Sequence, residues 1–286
     1  MTRLAVAKTY KLFIGGAFPR SESGRTYTVS SPDGAFLANA AKASRKDARN
    51  AVVAARAAVA GWSRATAYNR GQVLYRIAEM MEGRRAQFVD ELRSGRGVSE
   101  GDAAAAVDAS IDRWVWYAGW ADKYAQIVGG SNPVSGPYFN LSVPEPTGVV
   151  AIVAPQESPL LGLVNVVAPA LVAGNTVVVI ASERYPLPAM TFAEVLATSD
   201  VPKGVVNVLT GSAAEMAPWL ASHADVDGLD LTGAGDLDWV DLEIAAADTL
   251  TRVMRPAPTA DAVAQSLERI VAWTEIKTVW HTQSLR

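Results

Sequence analysis

The chain contains no cysteine. That excludes disulfides, thiolate metal sites and any cysteine nucleophile, because a missing sulfur can do no chemistry. Histidine is nearly as scarce: His223 and His281 are the only two, nothing in the sequence ties either to a serine, and each reads as a surface or packing residue. An excess of charge is lacking as well. The 26 basic residues against 29 acidic ones leave a net charge of -3, so no basic patch argues for nucleic acid or anionic lipid. The opening MTRLAVAKTYKLFIGG has only the short LAVA before Lys8, too little for a secretory apolar core, and a cytoplasmic protein is expected. No charge falls between Glu157 and Glu183, yet Pro159, Gly162, Pro169 and Gly174 interrupt a window that a spanning helix would need over roughly 20 residues. Neither nucleic acid nor a membrane is therefore expected as a partner.

Apolar material is plentiful, at 50% of the chain, enough for a large core. Two β-branched runs, Gly148–Val153 and Thr176–Ile180, flank an apolar segment that stops at Gly174 and Asn175. This is the pattern of strand, helix, helix stop and strand, and the near-continuous Val and Ile fit a parallel sheet covered on both faces. The alternation continues with a helix at 187–197, a strand at 204–209, a helix at 213–223 and a last strand at 226–231, after which a helix at 237–250 leads to 251–254. The class is α/β, with a Rossmann-like doubly wound sheet.

Ahead of this unit, 11–16 and 26–29 read as strands, with a Ser-Pro-Asp-Gly turn at 31–34. Ser44 caps a helix through about Ala60 that Gly61 should stop. One amphipathic helix is expected over 68–92 and a third over 103–125, whose Trp114, Trp116, Tyr117 and Trp120 suit a core. Residues 129–146 alternate as a projecting β-hairpin. After the turn at Arg255-Pro256-Ala257-Pro258, Thr259 can cap a helix carrying Val263, Leu267, Ile270 and Val271, and the chain closes with Trp273 to Trp280.

The segments PEPTGVVAIVAPQESPLL, APALVAGNTVVVIASERYPLPA, PKGVVNVLTG and HADVDGLDLTG resemble the cofactor-binding domain of the aldehyde dehydrogenase superfamily. The ending from Trp273 resembles that family's C-terminal strand, which pairs with the hairpin in an oligomerisation arm. The resemblance covers nearly the whole chain apart from about 254–270, where the family carries its catalytic domain. It implies a Rossmann-like domain of 1–128 and 147–256, a small β oligomerisation flap of 129–146 and 272–286, and a helical connector of 257–271. The architecture looks like the cysteine-free C-terminal half of the family-16 branch.

In that family a cysteine thiolate attacks the aldehyde, a glutamate activates water and an asparagine donates to the oxyanion. Here no cysteine exists, Arg255–Pro258 replaces the segment that bears the glutamate, and Glu157 stands at the asparagine position. No catalytic residue is assigned. The resemblance places the family's NAD(H) site, here eroded, at Pro155, Ser182, Glu183, Gly211 and Gly233, and the cofactor of this chain is left unknown. Ile180 replaces the family's ribose-binding lysine, Ala217 a glycine and Ala234 a serine, while Asp236 and Asp238 would compete with a phosphate at a helix start.

The arm would present Tyr138, Phe139, Leu141, Ile276, Val279 and Trp280 to a partner, because the domain that receives an arm in the family is missing here. The resemblance thus implies a non-catalytic subunit in a hetero-oligomer with a full-length NAD(P)-dependent aldehyde dehydrogenase. A stand-alone NAD(H)-binding protein, or an oxidoreductase in its own right, remains the alternative.

Overall fold

The computed structural model describes residues 8–256 and 264–283. Thr9–Tyr10 (β1), Thr26–Ser30 (β2) and Phe36–Ala41 (β3) form a small sheet in the order β1-β3-β2. The segment FLANAA carries no β-branched signal for β3, which pairing on both edges creates. The strand expected at 11–16 is instead two isolated bridges, Phe13 with Val208 and Ile14 with Ala17, closed by left-handed Gly15 and Gly16.

Arg45–Arg64 (α1) opens on a capping box: Asp47 N–H donates to the Ser44 hydroxyl while the Asp47 carboxylate accepts from Ser44 N–H. The helix runs through Gly61, contrary to the expected stop. Trp62 is buried and its indole N–H donates to the Leu171 carbonyl at 3.2 Å, an anchor that outweighs a glycine penalty of about 1 kcal/mol. The single helix expected over 68–92 is two, Ala67–Glu82 (α2) and Arg85–Arg96 (α3). On either side of the break at Gly83 and Arg84, Leu74, Ile77 and Met81 of α2 and Phe88 and Leu92 of α3 are buried in one core, and Arg84 pairs there with Glu194 at 2.7 Å. Likewise the helix expected over 103–125 is Glu100–Trp120 (α4) followed, after a turn, by Tyr124–Val128 (α5).

Gly130–Ser131 (β4) and Tyr138–Pro146 (β5) make the hairpin. Then Val149–Val153 (β6), Leu161–Val172 (α6), Thr176–Ile180 (β7), Leu187–Leu196 (α7), Val206–Leu209 (β8), Ala213–Ala221 (α8), Gly228–Asp230 (β9) and Trp239–Ala247 (α9) alternate as expected, and Arg252–Met254 (β10) adds a strand beyond the one expected as last. Their sheet is parallel throughout, in the order β10-β9-β6-β7-β8. Thr259 and Val263 lie outside the described residues. Leu267–Val271 (α10) begins at Ser266, whose hydroxyl accepts from Arg269 N–H. Thr274–Thr282 (β11) pairs antiparallel with all of β5, in the order β11-β5-β4, which completes the small β flap.

Every residue of β6 and β7 is buried, because side chains alternate between two cores. Val150, Ile152, Val177 and Val179 face α4, α6 and α7; Val149, Ala151, Val153, Val178 and Ile180 face α1, α8 and α9. Asn175 joins these layers to the flap. Its side chain is fully buried; its Oδ1 accepts from Gly148 N–H at 2.8 Å, and its Nδ2 donates to Ala170 O at 3.0 Å and Trp273 O at 2.9 Å.

Replacing Asn175 by Ala leaves the buried Gly148 N–H without a partner, at a cost of about 1–3 kcal/mol, while Ala170 O and Trp273 O keep the backbone donors Asn175 N–H and Thr147 N–H. Urea unfolding of Asn175→Ala is expected to show a loss of about 1–3 kcal/mol; a loss below about 0.5 kcal/mol would show that the three segments hold without its side chain. A second expectation concerns Glu91, buried beneath Thr191, whose hydroxyl donates to it at 2.6 Å. Burial pushes its carboxyl up to about 7, against hydrogen bonds from Thr191 and Gln87 that pull it down. The native state therefore holds this proton more tightly than the unfolded chain does, so the contribution is complete below about pH 4.5 and is lost as pH rises through about 7. Glu91→Gln should gain stability over the parent at pH 8, on the order of 3 kcal/mol, and none at pH 4. Equal unfolding midpoint differences at both pH values would contradict it.

Candidate functional site

Helices α6 and α7 pack on one face of the parallel sheet and α8 and α9 on the other, so the winding reverses between β6 and β9. A doubly wound sheet opens its ligand crevice at the carboxyl ends of the strands beside such a reversal. Four segments meet there: the loop after β6 with Pro155 and Gln156, the loop after β7 with Ser182 and Glu183, Gly211 after β8, and Gly233 after β9.

Most of these residues hold one another. The Ser182 hydroxyl donates to Gln156 O at 2.8 Å and accepts from Tyr185 N–H at 3.1 Å. The Gln156 side chain accepts from Glu183 N–H at 2.9 Å and donates to Ala154 O at 2.9 Å. Pro155 and Ser182 are buried. Gly233 packs so tightly that a Cβ there would lie 2.1 Å from Ala154 O and 2.5 Å from Pro155 N, which makes it a packing glycine. Gly211 has φ +118 and approaches the backbone of Lys42 and Ala43. Glu183 keeps a half-exposed side chain. Its neighbour Tyr27, on β2, carries a phenol driven above the usual tyrosine range by burial first and the Glu183 charge second. Sequence reasoning missed Tyr27, since a tyrosine in a short alternating strand gives no sign of what it will face. Glu157 is a solvated acid, 64% exposed and paired with Arg184 at 2.6 Å.

Beside the crevice, α8 and α9 enclose an open groove of about 360 Å³, with Ala217, Pro218, Leu242 and Ala245 in its walls and Asp238 and Asp241 at its rim. These apolar walls fit a flat heteroaromatic ring, and Glu183 can accept from ribose hydroxyls. A pyrophosphate does not fit. The amides of Gly233, Ala234, Leu237 and Trp239 donate to the carbonyls of Val153, Leu231, Ala234 and Leu237, and Asp236, Asp238 and Asp241 crowd the start of α9 where a helix would otherwise attract an anion.

The reversal point is also closed from the carboxyl-terminal side. Pro169 lies inside α6 and has no N–H to give the Asn165 carbonyl four residues earlier. Arg269 of α10, buried, donates to that carbonyl at 3.4 Å and to the Thr232 hydroxyl at 3.1 Å. Asp230, fully buried below it, accepts from Thr232 N–H at 2.8 Å, and burial raises its carboxyl despite the nearby Arg269 charge.

The flap is the second candidate site. Its register places Phe139, Leu141, Val143 and Val279 on one face and Tyr138, Ile276 and Trp280 on the other. Phe139 is 54% exposed and Trp280 58%; Tyr138, Leu141 and Ile276 are exposed and Val279 half-buried. Tyr138 and Trp280 meet edge to face at 5.8 Å. All six residues expected at a contact surface therefore belong to one small sheet, and the outer edge of β11 has no strand beside it among the described residues.

A doubly wound, dinucleotide-type α/β domain carrying a β flap is the class that these features define. The family model described as "Aldehyde dehydrogenase family" matches residues 18–254, and the chain belongs to that family. It is 36% identical over 247 residues to the cytosolic 10-formyltetrahydrofolate dehydrogenase of Mus musculus, covering 82% of this chain and 27% of that protein. It is likewise 36% identical over 254 residues to retinal dehydrogenase 2 of Gallus gallus, covering 86% and 48%. Among solved structures it superposes on HpcC from Thermus thermophilus with a TM-score of 0.81 at 31% identity, over 87% of this chain and 48% of that one. The aldehyde dehydrogenase from Bacillus cereus, solved in complex with NAD+, gives 0.80 at 28% identity, over 86% and 50%. The chain thus spans a quarter to a half of the length of the relatives it matches. Among the described residues no helix is long and apolar enough to cross a membrane.

The groove predicts a ranking of ligands. Titrated by the fluorescence of the adjacent Trp239, NAD+ is expected to bind more weakly than about 1 mM, and Asp236→Asn/Asp238→Asn to tighten it several-fold by removing carboxylates from the helix start. Micromolar binding to the parent chain would contradict this description of the site.

Proposed function

We propose that the chain is a non-catalytic, aldehyde dehydrogenase-like subunit, a pseudoenzyme that associates with a full-length NAD(P)-dependent aldehyde dehydrogenase to stabilise, assemble or regulate it. One observation carries the reading. The flap is fully built, with apolar side chains on both faces and an open β11 edge, while the segment between β10 and α10, where the family holds the domain that receives such an arm, is only residues 255–266. An unpaired edge of this kind aggregates unless something covers it. Strand addition to a second protein covers it with backbone hydrogen bonds and places Phe139, Leu141 and Val279, or Tyr138, Ile276 and Trp280, against its surface.

The chemistry points the same way. With no cysteine in the chain and Glu157 paired to Arg184 at the oxyanion-donor position, neither the family's nucleophile nor its oxyanion donor is present, so aldehyde oxidation falls to the partner. NAD(H) bound in a complex would then sit in the partner's crevice.

Light scattering after size-exclusion chromatography tests the proposal, on the chain alone and mixed with full-length aldehyde dehydrogenases of the same organism. A mixed complex that changes dehydrogenase activity is expected, and Ile276→Ser/Trp280→Ser should weaken it at least about tenfold, as loss of buried anchors does. A stable homo-oligomer that ignores every such enzyme would overturn the proposal.

A further inference from the structure

Glu91 of α3 is 8% exposed. Its Oε1 accepts from the Thr191 hydroxyl of α7 at 2.6 Å, from the Gln87 amide one turn earlier at 3.2 Å and, more weakly, from the Tyr10 phenol of β1 at 3.5 Å. Its Oε2 is buried and has no partner among the described residues. Three donors thus converge on one oxygen and none reaches the other. A neutral carboxyl tolerates this better than a carboxylate, whose second oxygen would carry charge away from both donors and water.

Charges of both signs act on this carboxyl. Lys8, just ahead of β1, pairs with Glu194 of α7 and lies 4.6 Å from the centre of the Tyr10 ring, and Glu194 also takes Arg84 at 2.7 Å. Burial is the largest influence on Glu91 and keeps its proton on up to about pH 7, with Lys8 favouring the ionised form and Glu194 opposing it. The Tyr10 phenol, raised by its own burial first and by Glu91 second, stays a donor throughout. Of the elements around Glu91, β1 yields most cheaply. Helices α3 and α7 bury Phe88, Leu92, Phe192 and Leu196 in the large core, whereas β1 is an edge strand of two residues, paired to β3 through Thr9 with Asn39 and Tyr10 with Ala40. A cavity of about 180 Å³ bordered by Lys8, Tyr10, Phe18, Met190 and Glu194 opens beside it, with room for several waters.

We propose that Glu91 and Tyr10 form a proton-operated clasp: β1 stays seated while Glu91 is neutral, and ionisation of Glu91 releases it, so that water reaches the second carboxyl oxygen. Release strips one edge of β3 of its neighbour, in a movement independent of the flap. The closed state holds the Glu91 proton to about pH 7, and the open state, with an ordinary carboxyl near 4.5, gives it up earlier. Raising the pH therefore favours the open state, about tenfold between pH 6 and 8, with little further change above that.

Hydrogen–deuterium exchange on the full chain at pH 6, 7 and 8 tests the clasp, with each rate divided by that of an unstructured peptide at the same pH. Protection of residues 8–12 is expected to be lower than that of α3 and α7 and to fall about tenfold between pH 6 and 8. It should also ignore about 1 M urea, because a small local opening exposes little surface. Glu91→Gln should make the protection of this segment independent of pH. Thr191→Val, which removes a donor that favours the carboxylate, should move the fall to higher pH. Protection that is flat over pH in the parent, that follows the core in urea, or that still falls in Glu91→Gln would overturn the clasp.

Discussion

The buried side chain of Asn175 is the constraint on which the other parts depend. Its carboxamide has one acceptor and two donors, and it serves the start of β6, the end of α6 and the residue before β11 at once. An amide in an apolar interior is tolerated only when its groups are satisfied. Satisfied this way, it fixes three distant segments to one point, including the root of the flap. Trp273, buried beside it, packs against Gly228 so closely that a Cβ on that glycine would come within 2.7 Å of the ring. The flap is therefore anchored in the sheet of the large domain, and its exposed residues project from a rigid base.

A second dependence runs through Pro169. The proline cannot donate to the carbonyl one turn earlier in α6, and Arg269 does so from α10 while reaching Thr232 beyond β9. The short carboxyl-terminal helix thereby closes over the reversal point of the sheet. Together with Gly233 pressed onto Ala154 and the tie between Gln156 and Ser182, it turns much of a ligand crevice into packed structure. What remains open lies to the side, between α8 and α9, with apolar walls and an acidic rim. The flap stays exposed, with apolar side chains on both of its faces.

The alternation of strands and helices from Val149 to Ala247 could be read in the sequence because β6, β7 and β8 are rich in β-branched residues and each helix ends on glycine or a polar turn. The flap could be read too, since the residues of β5 alternate with a period of 2 and its strands are well separated from the core pattern. Gly61 and the 68–92 segment misled for the opposite reason. The helix passes the glycine because Trp62 reaches Leu171, and the amphipathic stripe breaks at Gly83 although its periodicity continues. Tertiary contacts decide both, and local spacing carries no record of them. The cofactor positions were recognisable as a set, but their occupation by neighbouring protein groups was not: Ser182 shows as a free hydroxyl in sequence and as a doubly bonded one in the fold.

By itself, then, the sequence determined the class of sheet, its order of elements, the absence of a cysteine nucleophile and the residues of the flap, because composition and periodicity record which side chains are apolar and which atoms exist. Only the tertiary structure decided that Arg269 returns to satisfy α6, that Gly233 is pinned against Ala154, that Tyr27 faces Glu183, and that Glu91 is buried between Tyr10 and Thr191. Each of these depends on residues brought together from distant parts of the chain, and proximity of that kind is a property of packing that no local pattern encodes.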